Sequence, residues 1–295
     1  MGLMDFYSYI WSLRDPRTEG WGLTADAKFI FPVLALYLYV VNIAGPRFME
    51  NRKAYELKPV IIVYNVLMVA TNVFFFWNYL RRSYAGGGYN ILCQGVTYDT
   101  DKNSMEILEL TWWYVIVRVL DFIDTMFFLL RKKYSHISTL HVLHHTLVVF
   151  SGWLWLTFGC DGQVLMGICF NSFIHIIMYS YYALSALGSR VQRYLWWKQH
   201  LTKLQIFQFA FLTLHVCIPL IYDCGYPRIL TMIAAGQGLL GLGMFLDFYV
   251  NTYRSTPKAS FCTLQAQELY DNAEQNMSCR GTWRGSLQFN DRKRA

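Results

Sequence analysis

Three histidines stand within five residues in the stretch HVLHH, residues 141–145, which lies in an otherwise apolar segment. His141, His144 and His145 have the spacing i, i+3, i+4, so a helix would place their rings on one stripe. Ionisable residues in a membrane-spanning helix are costly and usually functional. A neutral imidazole can act as a base, as a nucleophile or as a metal ligand. The stripe therefore predicts a catalytic or metal-binding centre.

The segment RVLDFIDT, residues 118–125, carries charges in another apolar run. Arg118 and Asp121 are i, i+3 neighbours, so a helix would let them form an ion pair. Asp124 follows on the same side, where its carboxylate could orient a histidine or accept a hydrogen bond from a hydroxyl. An ion pair that only joins helices is the structural alternative.

A second polar stripe is predicted in NSFIHIIMYSYY, residues 171–182. Asn171, His175, Tyr179 and Tyr182 recur at i, i+4, i+8 and i+11, which is one face of a helix. A hydrogen-bonded seam between helices is the alternative interpretation.

A weaker signal lies in LTKLQ, residues 201–205. Thr202 and Gln205 carry small hydrogen-bonding groups near a predicted helix end, where such groups are common.

The composition predicts an all-α membrane protein. Of the 295 residues, 55% are hydrophobic and only 15% are charged, against about 25% charged in soluble domains. Several apolar runs approach the roughly 20 residues that cross a bilayer as a helix. Seven transmembrane helices are predicted, over residues 28–45, 60–80, 110–130, 138–158, 164–187, 201–221 and 229–250.

Basic residues set the predicted orientation, since Lys and Arg collect in cytosolic loops. With the N-terminus lumenal and the C-terminus cytosolic, 18 basic residues are cytosolic and seven are lumenal. The predicted organisation is a lumenal segment 1–27, a catalytic membrane domain 28–253 and a flexible cytosolic tail 254–295. The net charge of +7 follows from this topology and needs no nucleic-acid partner.

This topology brings the motifs together. Asp124 would lie about 10 Å, and His144 about 9 Å, from the cytosolic ends of their helices. Since the other polar groups fall in the same half of the membrane, we expect a pocket that opens to the cytosol.

A metal centre is the rival interpretation of the histidines. Membrane di-iron desaturases and hydroxylases also use an HxxHH pattern, but they need more histidine ligands than this chain can supply. The chain has seven His, and only four of them can cluster. We therefore expect no metal, with the desaturase or hydroxylase as one alternative and a seven-span receptor or transporter as another.

Three features lie outside the motifs. Cys93 and Cys224 fall in two different lumenal loops, so a disulfide between them is permitted but not required. The sequon at Asn276 lies in the cytosolic tail and should stay unmodified. Arg292 and Lys293 near the C-terminus resemble a dibasic retrieval signal of the endoplasmic reticulum, or form a generic basic tail.

Taken in order, the motifs resemble those of ELO-type fatty acid elongases, the very-long-chain 3-oxoacyl-CoA synthases. That family carries KxxExxDT, HxxHH, NxxxHxxMYxYY and a TxxQ-type box, and the resemblance runs from about residue 45 to the seventh span. HVLHH and the segment after residue 181 look like the branch that extends long and very long chains. Arg118 and Asp121 replace the family's Lys and Glu, which keeps the charges but changes reach and donor geometry.

The resemblance implies condensation of an acyl-CoA with malonyl-CoA, without a cofactor, in the membrane of the endoplasmic reticulum. It implies six helices around a closed-ended acyl tunnel, with the first helix outside them. His144 would carry the acyl group as an acyl-imidazole, and His145 and His175 would position it or shuttle protons. The rival is one-step attack on bound acyl-CoA, with a histidine acting only as a base.

The resemblance also suggests partners. The reductases and dehydratase of the elongation cycle would act next, and a homo-oligomer is allowed. Lys198 and Arg254 are candidate contacts for the CoA phosphates, followed by Lys133 and Arg193, although cytosolic topology alone would also place these cations there.

Overall fold

The computed structural model describes residues 2–254, and these form helices joined by loops, with no strand among them. The α-helices are α1 Leu3–Ser12, α2 Ala27–Tyr39, α3 Gly45–Met49, α4 Lys58–Arg82, α5 Lys102–Leu120, α6 Phe122–Leu130, α7 Thr139–Phe158, α8 Val164–Ala186, α9 Ser189–Gln192, α10 Lys198–Ile221 and α11 Arg228–Tyr249. Short 3₁₀ turns cover Pro16–Thr18, Leu23–Ala25 and Tyr134–His136, and π-helical turns cover Val40–Ala44 and Val250–Arg254. The prediction of an all-α protein is confirmed.

Five of the seven predicted spans match one helix each, and the first and third differ. The first continues from α2 through a π-helical turn into α3, and Asn42 in that turn donates a hydrogen bond to the carbonyl of Leu38 at 2.8 Å. The third is wrong as a single helix that begins at residue 110. It begins at Lys102, where Asp101 caps the helix by accepting from two backbone N–H groups, and it is interrupted at Asp121 between α5 and α6.

Within residues 2–254, five helical stretches are long and apolar enough to cross a membrane. They are Ala27–Met49, Lys58–Arg82, Val164–Ala186, Lys198–Ile221 and Arg228–Arg254. The protein is therefore a multi-pass membrane protein. Helices α5 and α7 fall outside this set because α5 carries four charged residues and α7 carries three imidazoles. Seven crossings, and the side on which each terminus lies, stay predictions.

Contacts along the chain divide it into two units, Met1–Tyr249 and Val250–Ala295. The first contains every α-helix given above. Of the second, the structure describes only the π-helical turn that ends at Arg254. The rest of the predicted tail, with Asn276 and the pair Arg292 and Lys293, lies outside the described residues.

In the first unit, α4 packs against α8, α5 against α7, and α10 against α11. Glycine permits two of these close approaches. A Cβ at Gly152 of α7 would overlap the side chain of Val115 in α5, and one at Gly241 of α11 would overlap the ring of Phe209 in α10. Two of the helices that carry motifs, α5 and α7, are thus held in direct contact.

One end of the unit, here called the disulfide end, joins the loops that follow α4, α7 and α10. A disulfide links Cys93 to Cys224, the pair that the predicted topology permits. Gln163 donates to the carbonyls of Leu92 at 3.1 Å and His215 at 2.8 Å. Three chain segments are therefore tied together at this end.

A buried charge cluster lies at the same end. The guanidinium of Arg17 contacts Asp15 at 2.6 Å and Asp161 at 3.0 Å, and all three side chains are at most 2% exposed. Burial alone would lower the pKa of Arg17, but hydrogen bonds and charges from the two carboxylates raise it above its usual value. Thr97 also donates to Asp161 at 2.6 Å, so the cluster fixes the N-terminal segment to two loops.

The opposite end, here called the basic end, is joined by weaker contacts. Lys58 at the start of α4 donates to the carbonyl of Leu187 at 3.1 Å, and the N–H of Tyr55 donates to the carbonyl of Leu130 at 3.0 Å. No disulfide joins this end among the residues that the structure describes.

Candidate active site

The interruption at Asp121 places the charges of RVLDFIDT inside the helical unit. Arg118 is 1% exposed, and its Nη1 lies 3.0 Å from Oδ2 of Asp121, so the predicted i, i+3 ion pair is present. Oδ1 of Asp121 accepts from the hydroxyl of Tyr179 at 3.1 Å. This pair is fully enclosed, and its geometry is set by groups on other helices.

Arg118 joins three helices, α4, α5 and α8. Its Nη2 donates to Oδ1 of Asn72 in α4 at 3.0 Å, and its Nη1 contacts Nδ1 of His175 in α8 at 2.7 Å. Asn171, one turn before His175, accepts from the hydroxyl of Tyr114 at 2.6 Å and more weakly from Arg118 at 3.4 Å. Three of the residues predicted from two separate motifs thus meet at one guanidinium.

Asp124 is held by a tyrosine. Its Oδ2 accepts from the hydroxyl of Tyr179 at 2.7 Å, and the carboxylate is 9% exposed. Of the two partners that the sequence suggested, the structure places the hydroxyl there. Asp124 makes no hydrogen bond to a histidine within residues 2–254, so any effect that it has on the histidines passes through other side chains, such as Tyr179.

The histidines of HVLHH differ in their bonding. Nε2 of His141 lies 2.8 Å from Oγ1 of Thr125, which in turn lies 3.0 Å from the hydroxyl of Tyr37. The rings of His144 and His145 make no hydrogen bond to the residues described, and their centroids are 5.7 Å apart. Both are half-buried, so they border open space rather than packed protein.

Aromatic rings of two later helices surround His144. Its ring centroid lies 6.3 Å from that of Phe209 in α10 and 6.5 Å from that of Phe245 in α11. His145 instead faces α6, with Phe122 at 6.3 Å. His144 is therefore the imidazole that faces an apolar wall.

The other predicted residues lie further toward the basic end. Thr202 is buried, and its hydroxyl donates to the carbonyl of Lys198 at 3.5 Å, while Gln205 lies 3.8 Å from the sulfur of Met178. Tyr182 is 38% exposed, with its ring 6.0 Å from that of Tyr179.

The four candidate phosphate contacts differ in their exposure. Lys198 is exposed at the first position of α10, and the guanidinium of Arg193 stacks over the ring of Tyr194 at 4.8 Å. Lys133 is half-buried just before the turn Tyr134–His136. Arg254 is exposed and belongs to the second unit.

Among residues 2–254, no group of three or more His, Cys, Asp or Glu side chains is arranged to hold a metal ion. His141 and His145 are the closest pair of imidazoles in HVLHH, with centroids 4.4 Å apart.

Sequence reasoning missed two residues of the site. Asn72 is 0% exposed, and its sequence signal was weak because it is one of three amides in α4. Tyr114 stacks on Arg118 at 4.7 Å and looked like an ordinary membrane aromatic. A search for polar atoms one turn before Arg118 would have found Tyr114.

Comparison with known proteins gives the family. The sequence model described as ELO: GNS1/SUR4 family matches residues 23–260. "Very long chain fatty acid elongase 4" of Homo sapiens is 37% identical over 255 residues, which cover 86% of this chain and 81% of that protein. "Very long chain fatty acid elongase 7" of Drosophila melanogaster is 37% identical, covering 81% of this chain and 73% of that protein. "Very long chain fatty acid elongase 5" of Rattus norvegicus is 32% identical, covering 85% and 83%. With the four motifs inside the matched region, and with side chains of RVLDFIDT and NSFIHIIMYSYY meeting at Arg118, the chain belongs to the ELO (GNS1/SUR4) family.

Proposed function

We propose that the protein condenses a long or very long acyl-CoA with malonyl-CoA, giving a 3-oxoacyl-CoA two carbons longer, CO2 and CoA. Family membership and the names of the relatives support the reaction class. We place the reaction in the endoplasmic reticulum membrane. There the reductases and dehydratase of the cycle would consume the product, since a 3-oxo group must be reduced before another extension.

The observation that carries the mechanism is the contrast among the four histidines. His141 and His175 each have one ring nitrogen engaged by a side chain, at 2.8 Å and 2.7 Å. His144 and His145 do not, among the residues described. A nucleophile needs a free lone pair with access to substrate, and His144 combines this with an apolar wall suited to an acyl chain.

In the first step, a ring nitrogen of His144 attacks the thioester carbonyl. The C–N bond forms, the C–S bond breaks, and CoA leaves as a thiolate that takes the proton from the other ring nitrogen. His145, whose ring centroid lies 5.7 Å from that of His144, can relay that proton to the thiolate. No metal or cofactor enters this step.

In the second step, malonyl-CoA loses CO2, and the resulting enolate attacks the acyl-imidazole. A C–C bond forms, the C–N bond breaks, and the departing nitrogen of His144 takes up one proton from water, which restores the neutral imidazole. We place both CoA moieties toward the basic end, where the exposed cation of Lys198 can meet phosphates.

Trapping the acyl-enzyme tests this proposal. Purified protein in lipid nanodiscs receives acyl-CoA alone, and the released CoA is timed. In a parallel sample, unbound acyl-CoA is removed before hydroxylamine is added to trap the acyl group of the protein as a hydroxamate. We expect a burst of about one CoA per protein, then a 3-oxo product once labelled malonyl-CoA is added. His144→Ala should abolish both. His200→Ala is the matched control, since His200 is exposed and contacts only Trp196 at 5.5 Å among the rings.

Two results would contradict parts of the proposal. Product without any burst favours one-step attack and removes the acyl-imidazole. A fatty product of unchanged length, or activity lost to chelators and restored by iron, removes the condensation itself. We expect chelators to leave the rate unchanged.

A further inference from the structure

The contact between Arg118 and His175 fixes where the proton of His175 lies. A guanidinium has only donor groups. Its Nη1 is 2.7 Å from Nδ1 of His175, so Nδ1 must present a lone pair. A protonated Nδ1 would set one N–H against another, and an imidazolium would also set charge against charge. The ring of His175 therefore carries its hydrogen on Nε2.

The Nε2–H of His175 lies on the side of the ring away from Arg118. It makes no hydrogen bond to residues 2–254, and it is not among the polar atoms there that are sealed without a partner. His144 and His145 each lie within range of an electrostatic interaction with the ring of His175. A donor is thus aimed into the open space beside the imidazole that we propose as nucleophile.

The guanidinium is itself held in place. Asp121 at 3.0 Å and Asn72 at 3.0 Å accept from its two terminal nitrogens, and Tyr114 stacks on it at 4.7 Å. Arginine can reach these partners at once because it is a planar fork, whereas the ammonium of a lysine is a single point. The substitution of Arg for the Lys in this motif therefore fixes the orientation of His175.

We propose that Arg118 is a positioning residue that locks His175 as the Nε2–H tautomer, so that His175 donates a hydrogen bond to the carbonyl oxygen of the bound thioester. The inference rests on the proposed condensation. When His144 attacks, that oxygen becomes negatively charged, and a donor already in place stabilises it. His175 is then an oxyanion donor and neither a base nor a nucleophile.

Replacing His175 by glutamine separates a donor from a base. The side-chain amide of Gln can place an N–H near the position of Nε2 but cannot accept a proton. We expect His175→Ala to lower kcat about 10²- to 10³-fold, and His175→Gln to stay at least about tenfold above it. Equal loss in two variants that purify as folded protein would overturn the donor role.

The tautomer can also be read without activity. ¹⁵N NMR of histidine-labelled protein, with the His175 signals assigned by their loss in His175→Gln, should show Nδ1 unprotonated and Nε2 protonated. The double variant Arg118→Met with Asp121→Asn removes the donor without leaving that carboxylate unpaired, and should abolish this preference. A protonated Nδ1 in the unaltered protein would overturn the proposal even if every variant misfolds.

A double-mutant cycle checks that Arg118 acts through His175. Arg118→Lys keeps a donor, so its kcat should fall less than that of the double variant Arg118→Met with Asp121→Asn. The KM for acyl-CoA should change little. In a His175→Gln background, where no tautomer can change, loss of the Arg118 pair should cost less than in the native background. Additive losses would assign Arg118 a structural role only.

The two proposals fail in different ways. If the unaltered protein does not lengthen acyl-CoA, the proposed function fails while the NMR result stands. If it does, and His144→Ala is inactive while His175→Gln equals His175→Ala, only the donor role fails.

Discussion

Two buried clusters in this protein combine one arginine with two aspartates, and they differ in what else the arginine bonds. Arg17, at the disulfide end, contacts Asp15, Asp161 and the carbonyl of Asp99 at 3.1 Å. Arg118, between the motif helices, also contacts the ring of His175 at 2.7 Å. The donors of Arg17 are thus used on carboxylate and carbonyl oxygens, which act only as hydrogen-bond acceptors. The second cluster leaves Nε2 of His175 without a hydrogen-bond partner among residues 2–254.

A buried ion pair alone therefore does not identify an active site. Both arginines are almost fully enclosed, at 8% and 1% exposed. Only the second is joined to groups that can take part in acyl transfer. Disturbing the first should therefore change stability, and disturbing the second should change rate.

The largest expected effect on stability comes from Arg17→Met. It leaves Asp15 and Asp161 buried without a counter-charge, which should lower the free energy of unfolding by about 3–5 kcal/mol. Elongation per folded molecule should be unchanged. The measurement is denaturation in detergent beside an activity assay normalised to folded protein.

Arg228→Met is the control for that experiment. Arg228 lies 3.9 Å from Asp223 with both side chains about three-quarters exposed, so its loss should cost at most about 1 kcal/mol. A large loss of specific activity in Arg17→Met would show that the first cluster affects the rate as well as the stability.

Removing the disulfide should have the next largest effect. Cys93→Ser with Cys224→Ser should lower stability by about 2–4 kcal/mol, since the bond closes a long loop in the unfolded chain. Cys217→Ser, a half-buried free cysteine, is the matched control. Equal melting temperatures for the two variants would show that this end is held without the bond.

Tyr179→Phe should affect both stability and rate. Its hydroxyl lies 2.7 Å from Asp124 and 3.1 Å from Asp121. Loss of a buried hydrogen bond to charged groups costs about 1.5–3 kcal/mol. Since Asp121 orients Arg118, kcat should fall as well, as measured by initial rates at saturating substrate.

Tyr194→Phe controls for the loss of a hydroxyl, since Tyr194 is 61% exposed and its ring keeps the contact with Arg193. If Tyr179→Phe changed stability alone, the second cluster would be as structural as the first.

The smallest effect is expected at Asp101, a fully exposed carboxylate at the disulfide end. Hydrogen bonds from Ser104 and from the N–H of Asn103 lower its pKa. A lowered folded-state pKa stabilises the protein above about pH 4 and loses that contribution as the pH falls through the folded value. Asp101→Ala should melt slightly earlier at pH 7, with the difference shrinking in acid. A difference independent of pH would assign the effect to helix propensity.

The residues that the sequence could place are those whose spacing is local. Arg118 and Asp121 are three apart, and the imidazoles of HVLHH share one helix, so helical geometry alone brings them together. The meeting of Arg118 with His175 needed the tertiary packing of α5 and α8 against α4. The sequence predicted the ion pair of Arg118 and the polar stripe that contains His175, but not the contact between Arg118 and Nδ1 of His175.

The first cluster was out of reach of such reasoning. Arg17 and Asp161 are 144 residues apart and lie in irregular segments, where no periodicity relates them. The interruption at Asp121 was missed for a similar reason, since RVLDFIDT reads as one continuous helix. The cysteine pair was permitted by topology, but only its geometry selects it.

The polarity of α5 and α7 bears on biogenesis. A central Asp or Arg opposes entry of an isolated helix into the bilayer by about 2.5–3.5 kcal/mol. The three imidazoles of α7 also weaken its insertion as an isolated helix. We expect the translocon to release these two segments together, as a hairpin already packed through Gly152 and Val115. On the predicted seven-span topology, a scan by apolarity alone therefore counts two passes too few and assigns RVLDFIDT and HVLHH to a loop.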